Sequence, residues 1–375
     1  LLQILLQNAN IVKKIVFLCN CAKNEMNKYL LPLALTLLLA ACGPRDRYIQ
    51  IQGYAQGGTY TVKLNMKGVS VPQEEIRDSI QAILTCIDTT LSGYNRGSLL
   101  SRLNRGERVE ATPMLREMYS IAYSWYLESE GALDFAAGPI YDAWGFGFKE
   151  GRFPTEDSVK LILSRCGMKH LLPQMPQGVI DIAALLRDPN EKDLDISLNF
   201  NAIAQGYTSD KVAAYLYSLG VKDMLVDIGE IWCDGVNPAG QSWSVGIDRP
   251  FDRPTDGTDS AGGELSGIWS SQGKALGIVT SGNYRKYYIR DGRKYAHTVD
   301  PRSGYPVQHQ LLSATVVSSS SSADADALAT FCMVIGPEKA RELILSLDGV
   351  EGFLVSASGD GMEEWSSPGF SLREN

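Results

Sequence analysis

Helix and strand patterns follow one another in this chain without the regular strand–helix alternation that a doubly wound sheet requires, and no other feature limits its fold as much. Residues 74–91 carry Ile76, Ile80, Ile83, Leu84 and Ile87 on one helical stripe. A second helix is expected after Thr112-Pro113, with Thr112 as N-cap and Leu115, Met118, Ile121, Ala122 and Trp125 on its apolar face. A third spans 204–219 and stops at Gly220. Residues 60–64 alternate as a short strand behind Gly57-Gly58-Thr59, and over 224–247 short strands are separated by Gly, Asn and Pro. The polar, glycine-rich stretch 253–267 reads as a surface loop. Strands then dominate until helical patterns at 323–335 and 338–347. No internal repeat is visible, and the class expected is α+β.

A different kind of segment lies ahead of this domain. Met26, Asn27 and Lys28 precede an apolar run over 29–41, the layout of a secretory signal and too short for a spanning helix. It ends Leu39-Ala40-Ala41-Cys42, which resembles the lipobox of bacterial lipoproteins, with Cys42 lipidated after cleavage; Gly43-Pro44 then breaks any helix. The expected organisation is an upstream extension over 1–25 outside the functional protein, a signal over 26–41, a tether over 42–50 and one domain over 51–375. Such a protein sits in the bacterial cell envelope, lipid-anchored and facing the periplasm, with the inner membrane as the expected site.

The sequence holds 35 basic and 43 acidic residues for a net charge of −8, and loss of the leader removes Lys13, Lys14, Lys23 and Lys28 against Glu25 alone. An acidic chain without clustered Lys and Arg excludes a general nucleic-acid binder. Its 44% hydrophobic content supplies a real core and excludes collagen and disorder. Five cysteines remain after the leader (Cys42, Cys86, Cys166, Cys233 and Cys332) without a CxxC pair, so zinc and thioredoxin chemistry have little support. Cys86 and Cys332 lie in apolar helical contexts and are expected to be buried free thiols.

Four clusters carry the chemistry. Asp326 and Thr330 are four apart at the start of an apolar helix, so they share a face and could present two oxygens to a hard cation such as Mg²⁺. The plain alternative is N-capping by Asp324, with Asp326 favourable to the helix dipole. His297 precedes Asp300-Pro301-Arg302-Ser303-Gly304-Tyr305-Pro306, strong turn chemistry that would hold the imidazole towards a cleft or simply order a loop; Thr280-Ser281-Gly282-Asn283-Tyr284 lies upstream. Around Gly131, Ala132, Leu133 and Asp134 small residues permit close backbone approach, and Trp144, Phe146 and Phe148 either stack on a planar ring or form a packed corner. Asn199 to Tyr207 enters a helix, whose N-terminus suits phosphate.

In their order, and with Ser92-Gly93-Tyr94, these motifs resemble the ApbE family of FAD:protein FMN transferases over nearly the whole of the chain after the leader. The resemblance implies a bilobal, T-fold-like domain and Mg²⁺-dependent transfer of FMN from FAD, as substrate, to a threonine hydroxyl of an acceptor protein, releasing AMP. The implied acceptors are subunits of Rnf or sodium-pumping NADH:quinone reductase complexes carrying a Ser/Thr-Gly-Ala-Ser/Thr-x-Thr-like motif. By the same resemblance the metal ligands are Asp326, Thr330 and the carbonyl of Ala202. FAD contacts are Gly57, Tyr94, Ala132, Leu133, Asp134, Asn199, Gln205 and Val299, and His297 orients phosphate or the acceptor hydroxyl. His297 and Asp326 are the two catalytic candidates.

Four departures from the family pattern stand out. Gly57-Gly58-Thr59 replaces Met-Gly-Thr, Asn199 replaces Asp, and Gln205 replaces Lys or Glu. Asn keeps a carbonyl acceptor and loses a charge. The usual Gly-Gly-Glu reads Ile228-Gly229-Glu230, one glycine short. Hydrolysis of FAD to FMN and AMP, a non-catalytic FAD carrier and an unrelated solute-binding lipoprotein are the competing readings.

Overall fold

The computed structural model describes residues 47–148, 153–191, 193–250, 264–283, 287–290, 293–359 and 361–374; the leader, Cys42, most of the tether, Tyr284 and most of the 253–267 loop lie outside the described residues. Among the described residues no helix is long and apolar enough to cross a membrane.

Eight strands make the central sheet: β1 (Tyr48–Ala55), β2 (Gly58–Asn65), β3 (Met224–Asp227), β4 (Ile231–Asp234), β5 (Leu276–Gly282), β6 (Leu311–Ser318), β7 (Val350–Ser358) and β8 (Gly361–Ser366). Their order across the sheet is their order along the chain, and every neighbouring pair is antiparallel. Among the described residues eight α-helices are inserted between them. Between β2 and β3 come α1 (Gln73–Leu91), α2 (Leu99–Asn104), α3 (Pro113–Glu128), α4 (Gly138–Trp144), α5 (Glu156–Arg165) and α6 (Ala204–Ser218). Between β6 and β7 come α7 (Ser322–Ile335) and α8 (Pro337–Ser346). The expected α+β class is what the chain adopts, with Arg47–Asn375 forming one compact unit.

Strand periodicity decides which face each element covers. Ile51, Val62, Leu64, Met224 and Val226 point to one side of the sheet, against Ile76, Ile80 and Leu84 of α1 and Val212 and Leu216 of α6. Val279, Ala314, Val316 and Leu354 continue that side under α7. The alternate residues Leu225, Cys233, Ile278, Val317 and Phe353 face the other way and are covered by Trp243, Ile247, Trp269 and Phe370, in and beside a small sheet of Ser244–Asp248, Leu265–Ser270 and Leu372–Arg373.

Several local expectations hold for the reasons given: the Thr112 hydroxyl accepts from the Leu115 amide at 3.3 Å with Pro113 opening α3, and Gly220 takes φ 84° after α6. Others need correction. Cys86 is exposed, since it falls on the outer face of α1, whereas Cys332 is buried. Asp324 does not cap α7; the Ser321 hydroxyl does, accepting from the Asp324 amide at 2.9 Å, while Asp324 itself accepts from the Trp125 indole at 3.2 Å. Residues 265–267, assigned to the polar loop, begin a strand. β1 and the short helices α2, α4 and α5 went unpredicted because each buries few apolar residues.

Candidate active site

A cleft of about 1630 Å³ opens where the β1–β2 turn, the C-terminal end of α1, the entry to α6, β5 and α7 meet. Typical small-molecule sites occupy ~300–1,000 Å³, so there is room here for a dinucleotide and part of a second molecule. Gly57, Tyr94, Ala132, Leu133, Asp134, Asn199, Ala202, Gln205, His297, Val299, Asp326 and Thr330 all border it. Residues scattered over 270 positions of sequence are thus brought to one wall-and-floor arrangement.

The floor is made where α6 crosses α7. Asp326, only 5% exposed, accepts a hydrogen bond from the Gly206 amide at 3.1 Å. A Cβ at position 206 would collide with the Ser322 carbonyl, so glycine alone lets the two helices come this close. Gly206 is the third residue of α6, so its amide is one of the helix's N-terminal donors without an intrahelical partner, and Asp326 satisfies it; the Ala202 carbonyl, in the turn ahead of the helix, accepts no hydrogen bond among the described residues. Thr330 lies one turn beyond Asp326, its hydroxyl 3.4 Å from that of Ser281 on β5. Asp210 fastens the crossing from behind, accepting from the Ser322 and Ala323 amides at 2.8 and 2.9 Å.

Burial pushes the Asp326 carboxyl up to about 7, with nearby Asp210 adding repulsion and the Gly206 amide acting against both. No basic side chain shares in that balance. A buried carboxylate with one amide bond, bordering the same cleft as a turn carbonyl and a hydroxyl, is an all-oxygen donor set that fits a hard divalent cation. These groups contain one carboxylate only; among the described residues no cluster of three or more His, Cys, Asp or Glu exists.

The walls are more varied. Tyr94, 69% exposed, accepts at its hydroxyl from Asn201 Nδ2 at 3.2 Å and rests edge-on against Phe148 at 5.0 Å. Asn199 spends its side-chain oxygen on the Asn201 amide at 2.9 Å, so the acceptor expected of it is already used and its NH₂ is what remains. Asp134 is likewise engaged: its carboxylate accepts from the Ala136 and Met168 amides, both at 2.9 Å, and its carbonyl from the Tyr141 hydroxyl at 3.0 Å. Ala132 and Leu133 are buried with their amides tied to Ser129. His297 meets Phe146 edge-on at 6.4 Å, next to Thr298, whose hydroxyl donates to Asn283 at 2.6 Å. Trp144 belongs to the packed corner: its indole N–H donates to the Gly304 carbonyl at 2.8 Å and its ring stacks on Tyr295.

Two side chains escaped the sequence reading. Gln56, in the β1–β2 turn with φ 51°, borders the cleft next to Gly57 and donates to the Thr208 hydroxyl at 2.5 Å. Recognising β1 would have placed it. Ser281 was quoted within its motif without a role. The shortened turn at Ile228-Gly229-Glu230 is well formed: Gly229 takes φ 93°, and a Cβ there would overlap the Gln205 amide.

Fold and cleft define an α+β domain with a large cleft whose floor is lined by oxygens, the class represented among solved structures by flavin transferases. The apo flavinyl transferase ApbE of Pseudomonas stutzeri superposes with a TM-score of 0.72 at 32% identity, covering 86% of this chain and 95% of that one. The flavin transferase ApbE from Vibrio cholerae gives 0.70 at 26% identity, covering 86% and 98%. The model of the ApbE family matches residues 56–354, and the chain belongs to that family. Curated relatives named FAD:protein FMN transferase include one from Escherichia coli K12, 30% identical over 305 residues (79% of this chain, 81% of the relative), and one from Haemophilus influenzae, 30% identical over 354 residues (91% and 96%).

Proposed function

We propose that this flavin transferase moves FMN from FAD to a threonine hydroxyl of an acceptor protein in a Mg²⁺-dependent reaction that releases AMP. The observation that carries this reading is the pair of oxygens left without hydrogen-bond partners at the floor: one from Asp326, and the carbonyl of Ala202. Asp326, Ala202 and Thr330 would hold the cation, which when bound supplies charge neutralisation to a pyrophosphate.

The chain's own residues do the rest. Tyr94 offers an exposed aromatic surface, and Asn199 an amide donor, to the nucleotide, with Val299 lining the cleft. The threonine oxygen forms a bond to the FMN phosphorus as the bridging P–O bond breaks; AMP leaves with the bridging oxygen, and the hydroxyl proton passes to a base. His297 and Asp326 are the two candidates for that base, and the pH–rate profile of a His297→Asn variant separates them. The acceptor is a subunit of an Rnf or sodium-pumping NADH:quinone reductase complex, and the enzyme meets it at the envelope, anchored through lipidated Cys42.

The deciding experiment incubates the protein with FAD, Mg²⁺ and a peptide bearing the Ser/Thr-Gly-Ala-Ser/Thr-x-Thr pattern. Covalent flavin on the peptide with one AMP per label is expected. AMP without labelled peptide means hydrolysis, and intact bound FAD means carriage; either outcome overturns transfer.

A further inference from the structure

The central sheet ends in two unlike edges. On β8, Glu363 pairs with Arg341 at 2.7 Å and Glu364 accepts from the Ser266 hydroxyl at 3.2 Å; charged edge strands of this kind discourage a further strand. At the opposite edge β1 runs for eight residues, Tyr48-Ile49-Gln50-Ile51-Gln52-Gly53-Tyr54-Ala55, with no charge, no proline and an unbroken register to β2. Such an edge is a template for pairing.

Its free hydrogen-bonding groups can be assigned. The two-residue Gln56-Gly57 turn, with φ of 51° and 83°, is of type I′ and closes on the hydrogen-bonded pair Ala55–Gly58. Alternation then directs the backbone of Gly53, Ile51 and Ile49 inward to β2, and that of Gln50, Gln52 and Tyr54 outward. The Met66 amide, donating to the Arg47 carbonyl at 2.7 Å, continues the inward set. Among the described residues nothing pairs with the outward set.

The strand leads into the cleft. Tyr54, 71% exposed, and Ala55 border the cleft together with Gln56 and Gly57. Gln56 is bonded to Thr208, two residues past the Gly206 amide that holds Asp326. A chain laid along β1 is therefore delivered to the end of the cleft where the buried carboxylate lies.

Building on the acceptor reading above, we propose that β1 is the docking strand for the acceptor protein. An extended, uncharged stretch of the acceptor adds to this edge through backbone hydrogen bonds and carries its hydroxyl residue into the cleft. Backbone pairing gives affinity with little demand on side chains, and leaves the choice of residue to the cleft itself.

The test uses the full-length protein, FAD, Mg²⁺ and the acceptor peptide with extended flanks. Proline at Gln50 and Gln52 removes two outward amides, and edge strands tolerate it. KM for the peptide is expected to rise about ten-fold in the double variant Gln50→Pro/Gln52→Pro, with FAD affinity unchanged. A second measurement leaves the protein untouched: peptides N-methylated at one alternating set of backbone positions should lose labelling, and those methylated at the other set should keep it. Equal labelling of both sets, with unaltered KM in the proline variant, overturns docking while transfer stands. Failure of wild-type protein to label the unmodified peptide removes the acceptor reading, and docking with it. A wild-type dimer that the proline variant abolishes assigns the edge to a second copy of the chain and also overturns the proposal.

Discussion

At the floor of the cleft Asp326 is nearly sealed from solvent and gripped by a backbone amide of another helix; at the rim Tyr94 stands in water, steadied by one side-chain hydrogen bond and one aromatic edge. The floor is made by packing. Its geometry cannot shift without moving α6 against α7, and its charge has no basic partner in the balance that sets its pKa. The rim can move at little cost, because nothing in the core depends on it. In the function proposed above, chemistry that must be the same at every turnover belongs to the first region, and recognition of a ligand that comes and goes belongs to the second.

The sharpest way to break that division is Asp326→Ala. FAD cleavage, followed as AMP release, should fall on the order of 10³-fold, the effect of losing several kcal/mol of charge stabilisation. Retention of full Mg²⁺-dependent activity would remove Asp326 from the metal site.

A smaller effect tests the buried charge itself. An aspartate in an unfolded chain titrates near ~3.9. Between that value and about 7 the folded protein keeps a proton on Asp326 that the unfolded chain has released, so this group lowers stability as pH rises through the window and adds no further loss above it. Without Mg²⁺, Tm should therefore drop by several degrees from about pH 5 to about pH 8. Asp326→Asn should flatten the drop, and saturating Mg²⁺ should do the same for the wild type. A wild type and an Asp326→Asn variant with identical slopes would show that the charge is not buried as described.

The smallest effect belongs to the rim. Tyr94→Ala should raise KM for FAD by up to about ten-fold and leave kcat nearly unchanged, as expected for a stacking surface used equally in ground and transition states. An equal fall in kcat would move Tyr94 into the same class as the floor.

The two regions were also unequally visible in the sequence. Asp326 and Thr330 could be paired because a four-residue spacing on a helix puts them on one face, and the apolar run behind them marked the helix. Ala202 could not be found by its chemistry: the contribution proposed for it is a main-chain oxygen in the turn ahead of α6, and only family likeness pointed to it. β1 was passed over because Ile51 is its one fully buried side chain, and with β1 went Gln56. Asn199 and Asp134 were legible as positions and not as donors or acceptors, since their bonds to Asn201, Ala136 and Met168 depend on local loop geometry. The α+β class survived these gaps because strand alternation and helical stripes are set by burial over many residues.

The close crossing at Gly206 has one more consequence, for inheritance. The metal ligand proposed at Ala202 is a peptide carbonyl, encoded by no codon of its own, so substitutions at 202 that keep the backbone leave it in place. The vulnerable position is four residues downstream, where any side chain would collide with the Ser322 carbonyl, push α6 off α7 and take the amide from Asp326. Descendants of this protein can therefore drift at position 202, and must hold still at the glycine that lets the two helices meet.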